Sequence, residues 1–335
     1  MAQMKLTNPA SLGNYFQPVL SKQLIDRISE TLRLNTLAQQ VDLPKNLGSK
    51  TVKFFQFNGT ADASEVQTLT EGTPISTFRE LGLNSVEVSL TQYGEALNVS
   101  DLLSNLSLFN VLQEGVKLLG EDAALKADNL SRAELISGTD VAGNSTKKRY
   151  GQGLANFAAV DAAAASAAFI DAEDLLDAST ELKANKSNPL NGKFTALVPP
   201  QVARDLFRDT DFLNSVYRNP TSGVGSLYAG ELGTFYGLRI IEHTNPWIEG
   251  TTEGTYSAAG SIYSTIVLGE NAFGVVKLSG DSPFSPKVTV LTQADKSDIL
   301  NQTVKAGYKA YYAAKLMNSK RAVVVKSKSR FTAAS

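Results

Sequence analysis

Between about Ser100 and Gly138 the apolar positions of the chain fall on one helical stripe. Phe109, Leu112, Val116, Leu119, Ala123, Ala127 and Leu130 follow a three-four spacing, while Glu114, Lys117, Glu121, Asp128 and Arg132 point elsewhere. The spacing predicts a long amphipathic helix. Ser100 or Asp101 is placed to cap its N-terminal turn, and Gly138 to supply the left-handed residue that commonly stops a helix. Continuous from about Leu108 to Ser137, roughly 30 residues make a rod of about 45 Å, against a mean globular helix of about 11 residues. A chain of this length packed as one globule is only about 50 Å across, so the helix reads as a spine on which other elements lean.

Ahead of the spine, Leu20, Leu24, Ile25, Ile28 and Leu32 predict one short helix in a segment too poor in apolar residues to enclose a core, which reads as an arm. SKTVKFFQF and NSVEVSLTQY then read as an antiparallel hairpin. In the second, Val86, Val88 and Leu90 alternate with Ser85, Glu87, Ser89 and Thr91, the period of a half-buried strand. The connector, NGTADASEVQTLTEGTPISTFREL, has about 25 residues where ordinary hairpin loops have two to five. A projecting hairpin leaves strand edges open, and a partner that covers them is expected.

Behind the spine, TDVAGNSTKKRYGQG reads as a polar loop and AAVDAAAASAAF as a close-packed helix or strand entry. IDAEDLLDASTELKAN is a helix whose acidic first turn, Asp171, Glu173 and Asp174, suits the helix dipole. FTALVPP is a buried strand stopped by Pro199 and Pro200, QVARDLF a short helix, and GLRIIEH, IYSTIVLG, FGVVKL and KVTVL are strands. GYKAYYAAKLM and RAVVVKS read as two strands around a turn at Asn318 and Ser319, with a helix as the alternative for the first, followed by a basic tail, KSKSRFTAAS. The class is mixed α+β.

Composition narrows the chemistry more than it names it. With 335 residues, 42% hydrophobic and 19% charged, the chain is large enough for two cored subdomains and too apolar for a disordered protein. A net charge of -1 makes it no general polyanion binder, although the tail and the Lys147, Lys148, Arg149 cluster leave local contacts to nucleic acid open. The absence of cysteine removes disulfides, thiolate zinc sites and cysteine nucleophiles together. No run approaches the roughly 18 apolar residues of a membrane span and no signal peptide opens the chain, so it reads as soluble and not secreted.

The single histidine, His243, would have to serve any Ser-His-Asp mechanism, and its place at the end of an apolar run in LRIIEHTNPW reads as a structural strand end. Gly151-Gln152-Gly153 lacks the preceding strand and third glycine of a dinucleotide loop, and the acids from Asp171 read as dipole partners before metal ligands. No Walker loop, nucleophile elbow, zinc spacing or calcium loop is present, so no catalytic, cofactor-binding or metal residue is assigned.

The ordered series TVKFFQF, LTEGTP, LTQYGEALNVSDLL, LGEDAALKADNLSRAEL with SGT after it, FTALVPPQVARDLF, GELGTFYGLRIIEHTNP and LNQTVKAGYKAYYAAKLMNSKRAVVV resembles the major capsid proteins of tailed bacteriophages. In particular it resembles the family typified by the coat protein of coliphage N4, over about Lys50 to Val325. The resemblance implies the Hong Kong-type capsid fold: an N-terminal arm (1–49), an E-loop hairpin (50–98), a peripheral domain with the spine helix (99–170 and 282–335) and an axial domain (171–281). It implies a shell of pentamers and hexamers enclosing double-stranded DNA, assembled in the host bacterial cytoplasm, with scaffolding, portal and decoration proteins as partners and no membrane. The short segment before the hairpin favours a separate scaffolding protein, and no motif assigns a lysine-asparagine crosslink. Two other classes stand beside this reading: the shell protein of a cellular nanocompartment, and a hydrolase using His243.

Overall fold

The structure, a computed structural model, describes residues 34–43, 50–57, 82–100, 111–218, 231–278, 286–291 and 302–331, with the isolated positions 68–69, 71–72, 74, 102–103, 284 and 300. The chain enters through β1 (Gln39–Leu43), β2 (Thr51–Phe57), β3 (Leu83–Ser89) and β4 (Thr91–Ser100) to the long α1 (Val111–Ser137). After it come β5 (Lys147–Tyr150), α2 (Phe157–Ala162), α3 (Ala172–Ala184), β6 (Phe194–Val198), α4 (Pro200–Leu206) and α5 (Thr210–Arg218). Then follow β7 (Glu231–Phe235), β8 (Leu238–Glu242), β9 (Trp247–Glu249), β10 (Ile262–Leu268), β11 (Phe273–Leu278), β12 (Lys287–Leu291), β13 (Thr303–Leu316) and β14 (Ala322–Lys328). The helical pattern of residues 20–32, the stretch 104–110 with Phe109, and most of the hairpin connector lie outside the described residues.

Helix α1 is the spine, 27 residues long, or about 40 Å at 1.5 Å per residue. Val116, Leu119, Ala123 and Ala127 are buried as their spacing requires, joined by Ala124, Leu135 and Ile136. Ser100 accepts a hydrogen bond from the Leu103 amide at 3.2 Å, which caps the turn at 102–103; whether that turn runs into α1 lies outside the described residues. Two expectations need correction. Asp128 and Arg132, read as pointing away from the core, are only 1% and 3% exposed, because each neutralises the other. Gly138 is not left-handed; its amide donates to the Glu134 carbonyl at 2.9 Å, and an added Cβ would strike that carbonyl oxygen and the Glu134 carboxylate. Close approach, and not a positive φ, requires glycine there.

Two sheets lean on the spine. In the first, β1, β11, β13 and β12 lie in that order, with β4 laddered along β13 from Thr303 to Tyr312. Alternation along β13 sends Ala306, Tyr308, Ala310 and Tyr312 into the spine core. In the second, the order is β5-β14-β10-β6-β8-β7, with β9 on β10. Its two faces divide by parity. Leu197, Ile266, Leu268 and Val324 join the spine core, while Ala196, Val198, Val267, Val323 and Val325 pack under α3, α4 and α5 with Leu175, Leu182, Leu206 and Phe212. One sheet thus separates two cores, which is why its strands read as nearly continuous apolar runs.

The C-terminal strands correct a local reading. β13 and β14 flank the Asn318–Ser319 turn as expected, yet they do not pair; each belongs to a different sheet. The crossing is fixed because the amides of Met317 and Asn318 both donate to the Ala272 carbonyl, and that of Ser319 to Asp140. The segment 147–150, read as loop, is strand β5, parallel to β14. The sequence NSVEVSLTQY is likewise two strands that part at Leu90: β3 pairs with β2, and β4 with β13.

Candidate assembly elements and the polar fastening of the spine

The hairpin β2–β3 has one inward and one outward face. Phe54 and Val88 are buried against Leu43, Val276 and Ala313, with Val52 and Val86 beside them, so the root of the hairpin is anchored on the outer face of the five-stranded sheet. On the other face Lys53 pairs with Glu87 at 2.7 Å, and towards the far end Phe55 and Leu83 are 60% and 52% exposed. The connector positions that are described, Thr68, Leu69, Glu71, Gly72 and Pro74, are exposed as well. An apolar pair at the end of an extended ribbon is what a contact with another molecule would cover.

The spine is tied to the rest by two polar clusters. Asp128 pairs with Arg132 one turn on, accepts from His243 Nε2 at 3.3 Å and from Asn245 Nδ2 at 3.1 Å. The Asn245 amide donates to His243 Nδ1 at 3.1 Å, which leaves Nε2 to carry the proton toward Asp128. Burial pushes the Asp128 carboxyl up, but the hydrogen bond from His243 and the Arg132 charge outweigh it and hold the group below its ordinary value. One turn on, Ser131 Oγ and Tyr312 OH lie 2.6 Å apart, and Tyr312 donates to Asn35 Oδ1 at 2.6 Å, joining the spine to β13 and to the residues that lead into β1.

This arrangement places His243 just past β8, buried, at the strand end the sequence indicated. Its carboxylate partner is already committed to Arg132, and the adjoining cavity has a volume of about 10 Å³. A site for a hydrolase substrate needs hundreds of Å³, so the cluster is built to hold elements in register. The sequence contained part of the signal: Asp128 and Arg132 stand at i and i+4 on one helix, whereas Asn245 comes from a distant turn that no local pattern links to them.

Lys147 is exposed, but the other cations read as a solvated loop and a basic tail have partners within the fold. Lys148 pairs with Glu253 at 3.1 Å, and Arg149 bridges Asp177 at 3.1 Å and Glu181 at 2.9 Å. Lys326 is fully buried, bonded to Glu249 at 2.5 Å; Trp247 Nε1 donates to the same carboxylate at 3.0 Å. Lys328 donates to the carbonyls of Asp161 and Ala163, and the Arg330 guanidinium lies 3.3 Å from the centre of the Phe169 ring. Period two in β14 puts Lys326 on the face of Ala322 and Val324, a signal that it turns inward.

The acids at the start of α3 serve the helix. Asp171 is its N-cap and forms a reciprocal capping box with Asp174. Asp174 also accepts from the Gln152 amide at 3.1 Å, which fixes the Gly151–Gly153 turn with Gln152 at φ 56°. Burial, then the charge of Asp171, raises the Asp174 carboxyl to about 7. Asp171, Glu173, Asp209 and Asp211 line a cleft of about 330 Å³ whose wall also holds Arg208 and Arg330. Among the described residues no three acids or histidines stand close enough together to hold a metal ion.

The profile of the family described as phage capsid protein matches residues 84–325. Among solved structures, the capsid of cyanophage Pam1 superposes with a TM-score of 0.64 at 15% identity, covering 91% of this chain and 93% of that one. The capsid of Ralstonia phage GP4 superposes at 0.61 and 11% identity, covering 90% and 89%. A virus-like particle from Pyrococcus furiosus shares the fold at 0.51 and 12% identity, covering 92% and 99%. No curated protein matches the chain. At these identities the superpositions establish the Hong Kong-type fold; the family is set by the sequence profile.

Proposed function

The chain belongs to the phage capsid protein family and is a major capsid protein, and from that premise we infer that its copies build the icosahedral shell of a tailed-phage head around double-stranded DNA. The observation that carries this reading is a family match over most of the chain, together with an anchored hairpin whose far end is apolar and uncovered in the single copy. Head-to-tail contacts between identical subunits close into rings, and rings of five and six tile a shell. Within the subunit, residues 1–49 act as an arm and 50–98 as the lattice hairpin. The peripheral domain is 99–170 with 282–335, and the axial domain, 171–281, meets its copies at capsomer centres. Scaffolding, portal and decoration proteins are the other partners, with assembly in the host cytoplasm and non-specific contact to packaged DNA.

Electron microscopy of the purified protein at high concentration tests the reading, with shells or capsomer rings as the expected result and dispersed monomers at all concentrations as the contrary one. Particles purified from a native source are expected to hold DNA. Recovery of a packaged enzyme in its place would assign the chain to a cellular compartment.

A further inference from the structure

Between the first turns of α3 and α5 lies the cleft of about 330 Å³. Five carboxylates line it, Asp171, Glu173, Asp205, Asp209 and Asp211, against the guanidiniums of Arg208 and Arg330, five less two, or net -3. The cleft thus carries more negative charge than the whole chain, whose net charge is -1. Charge of one sign gathered between low-dielectric walls raises the local concentration of the opposite ion. Asp174, whose carboxyl is raised to about 7 by burial and then by the charge of Asp171, stands in the same negative field.

Two of the five acids have local work. Asp171 accepts from the Asp174 amide at 2.9 Å and from Gln152 Nε2 at 2.7 Å, and Asp209 from the amides of Ala172 at 2.8 Å and Asp211 at 3.0 Å. They cap α3 and α5 and answer the helix dipoles there. Glu173 and Asp211 stand exposed at the rim, without an ion pair among the described residues. Asp205 is different, because it is only 2% exposed. Its Oδ2 accepts from Ser329 Oγ at 2.9 Å and from the Arg330 amide at 2.8 Å, while Oδ1 has no hydrogen-bond partner. The Arg204 guanidinium stands 3.9 Å from Oδ1, beyond hydrogen-bond reach, and lies over the Phe331 ring. That of Arg330 is held against the Phe169 ring, 3.3 Å from its centre. A buried carboxylate oxygen without a donor is costly, and a cationic donor entering the cleft would remove the cost.

We infer that the cleft binds an aliphatic polyamine, with one ammonium group donating to Asp205 Oδ1 and the others meeting Glu173 and Asp211 at the rim. A chain of ammonium groups fits where a metal ion does not. Among the described residues no three acids stand close enough to share one ion, whereas the charges of a polyamine are spread along its methylenes. Phe169 and Ala172 in the lining offer those methylenes an apolar surface. The site belongs to a single copy of the chain, so it stands or falls apart from the shell reading.

The test is thermal melting of the full chain, at protein concentrations below assembly, with spermidine as the probe. About 5 mM spermidine is expected to raise the melting temperature by about 2 to 4 °C, and sodium or magnesium chloride at the same ionic strength by less than about 1 °C. Titration calorimetry is expected to show a single saturable site. Glu173→Gln with Asp211→Asn removes two rim charges outside the capping bonds and is expected to lose most of the spermidine shift. Asp205→Asn, which puts an amide donor where the free oxygen stood, is expected to abolish it, with circular dichroism as the control for folding. An equal shift with magnesium, or the parental shift in the folded rim variant, would overturn the inference by reducing the effect to general screening. A melting temperature that rises with protein concentration and not with spermidine would also overturn it, by assigning the cleft to a side chain of a second copy.

Discussion

Asp128 is the residue on which the spine's orientation turns. It sits in the core only because Arg132, His243 and Asn245 together supply the donors that water would have given. Asp128→Ala is expected to cost about 3 to 5 kcal/mol in urea unfolding, since it strands a buried guanidinium. His243→Ala removes one donor of several and is expected to cost about 1 to 2 kcal/mol while shells still form. Loss of assembly by a folded His243→Ala protein would contradict this. Asp128 is held below its ordinary value, so its contribution is present above pH 4 and fades as pH falls through the folded value. Asp174 runs the other way. Its folded value is raised to about 7, so the native state holds a proton that the unfolded chain has released, and stability declines as pH rises from about 4 to about 7. Asp174→Asn keeps a cap acceptor without the charge, and is expected to flatten stability between pH 5 and 8, with a gain on the order of 1 kcal/mol at pH 8. Thermal melts of the two proteins across that range decide it.

At the scale of elements, the spine, the hairpin and most strands were legible because their periods are local. Val86 and Val88 in β3, or Val116, Leu119 and Ala123 in α1, declare their face within a few residues. What the period does not carry is the identity of the partner strand. β13 and β14 look like a hairpin and are not, because Ala272 and Asp140, distant in sequence, take the amides at the turn. β5 looks like a loop because its cations find their acids on α3 and before β10. Lys326 is the sharpest instance, a basic residue in a supposed tail that ends beside Glu249 in the core. Burial lowers the Lys326 ammonium value, partly opposed by Glu249. Lys326→Met alone should leave Glu249 buried without its counter-charge, at a cost of about 3 to 5 kcal/mol, whereas Lys326→Met combined with Glu249→Leu should recover most of that loss. Equal destabilisation of the single and double variants would mean that the pair adds more than mutual neutralisation.

For the whole molecule, the decisive question is whether the hairpin belongs to the protomer or to the lattice. Its root is part of the protomer, since Phe54 and Val88 close a core with Leu43, Val276 and Ala313. Its far end is not, since Phe55 and Leu83 face outward. Ordering each residue of a connector of about 25 costs roughly 1 to 2 kcal/mol of backbone entropy, and an isolated hairpin is marginal at best, so contacts from another copy must supply the order. Deleting Asn58 to Leu81 and closing the strands with a tight Asn-Gly turn spares the root and both cores. The expected product is a folded, soluble protomer that melts within a few degrees of the parent and forms no closed shells. In the parent, amides of the connector should exchange rapidly in the free protomer and slowly in particles. A deletion variant that still closes shells, or equal protection in the two states, would remove the hairpin from the lattice and leave other surfaces of the subunit to hold it together.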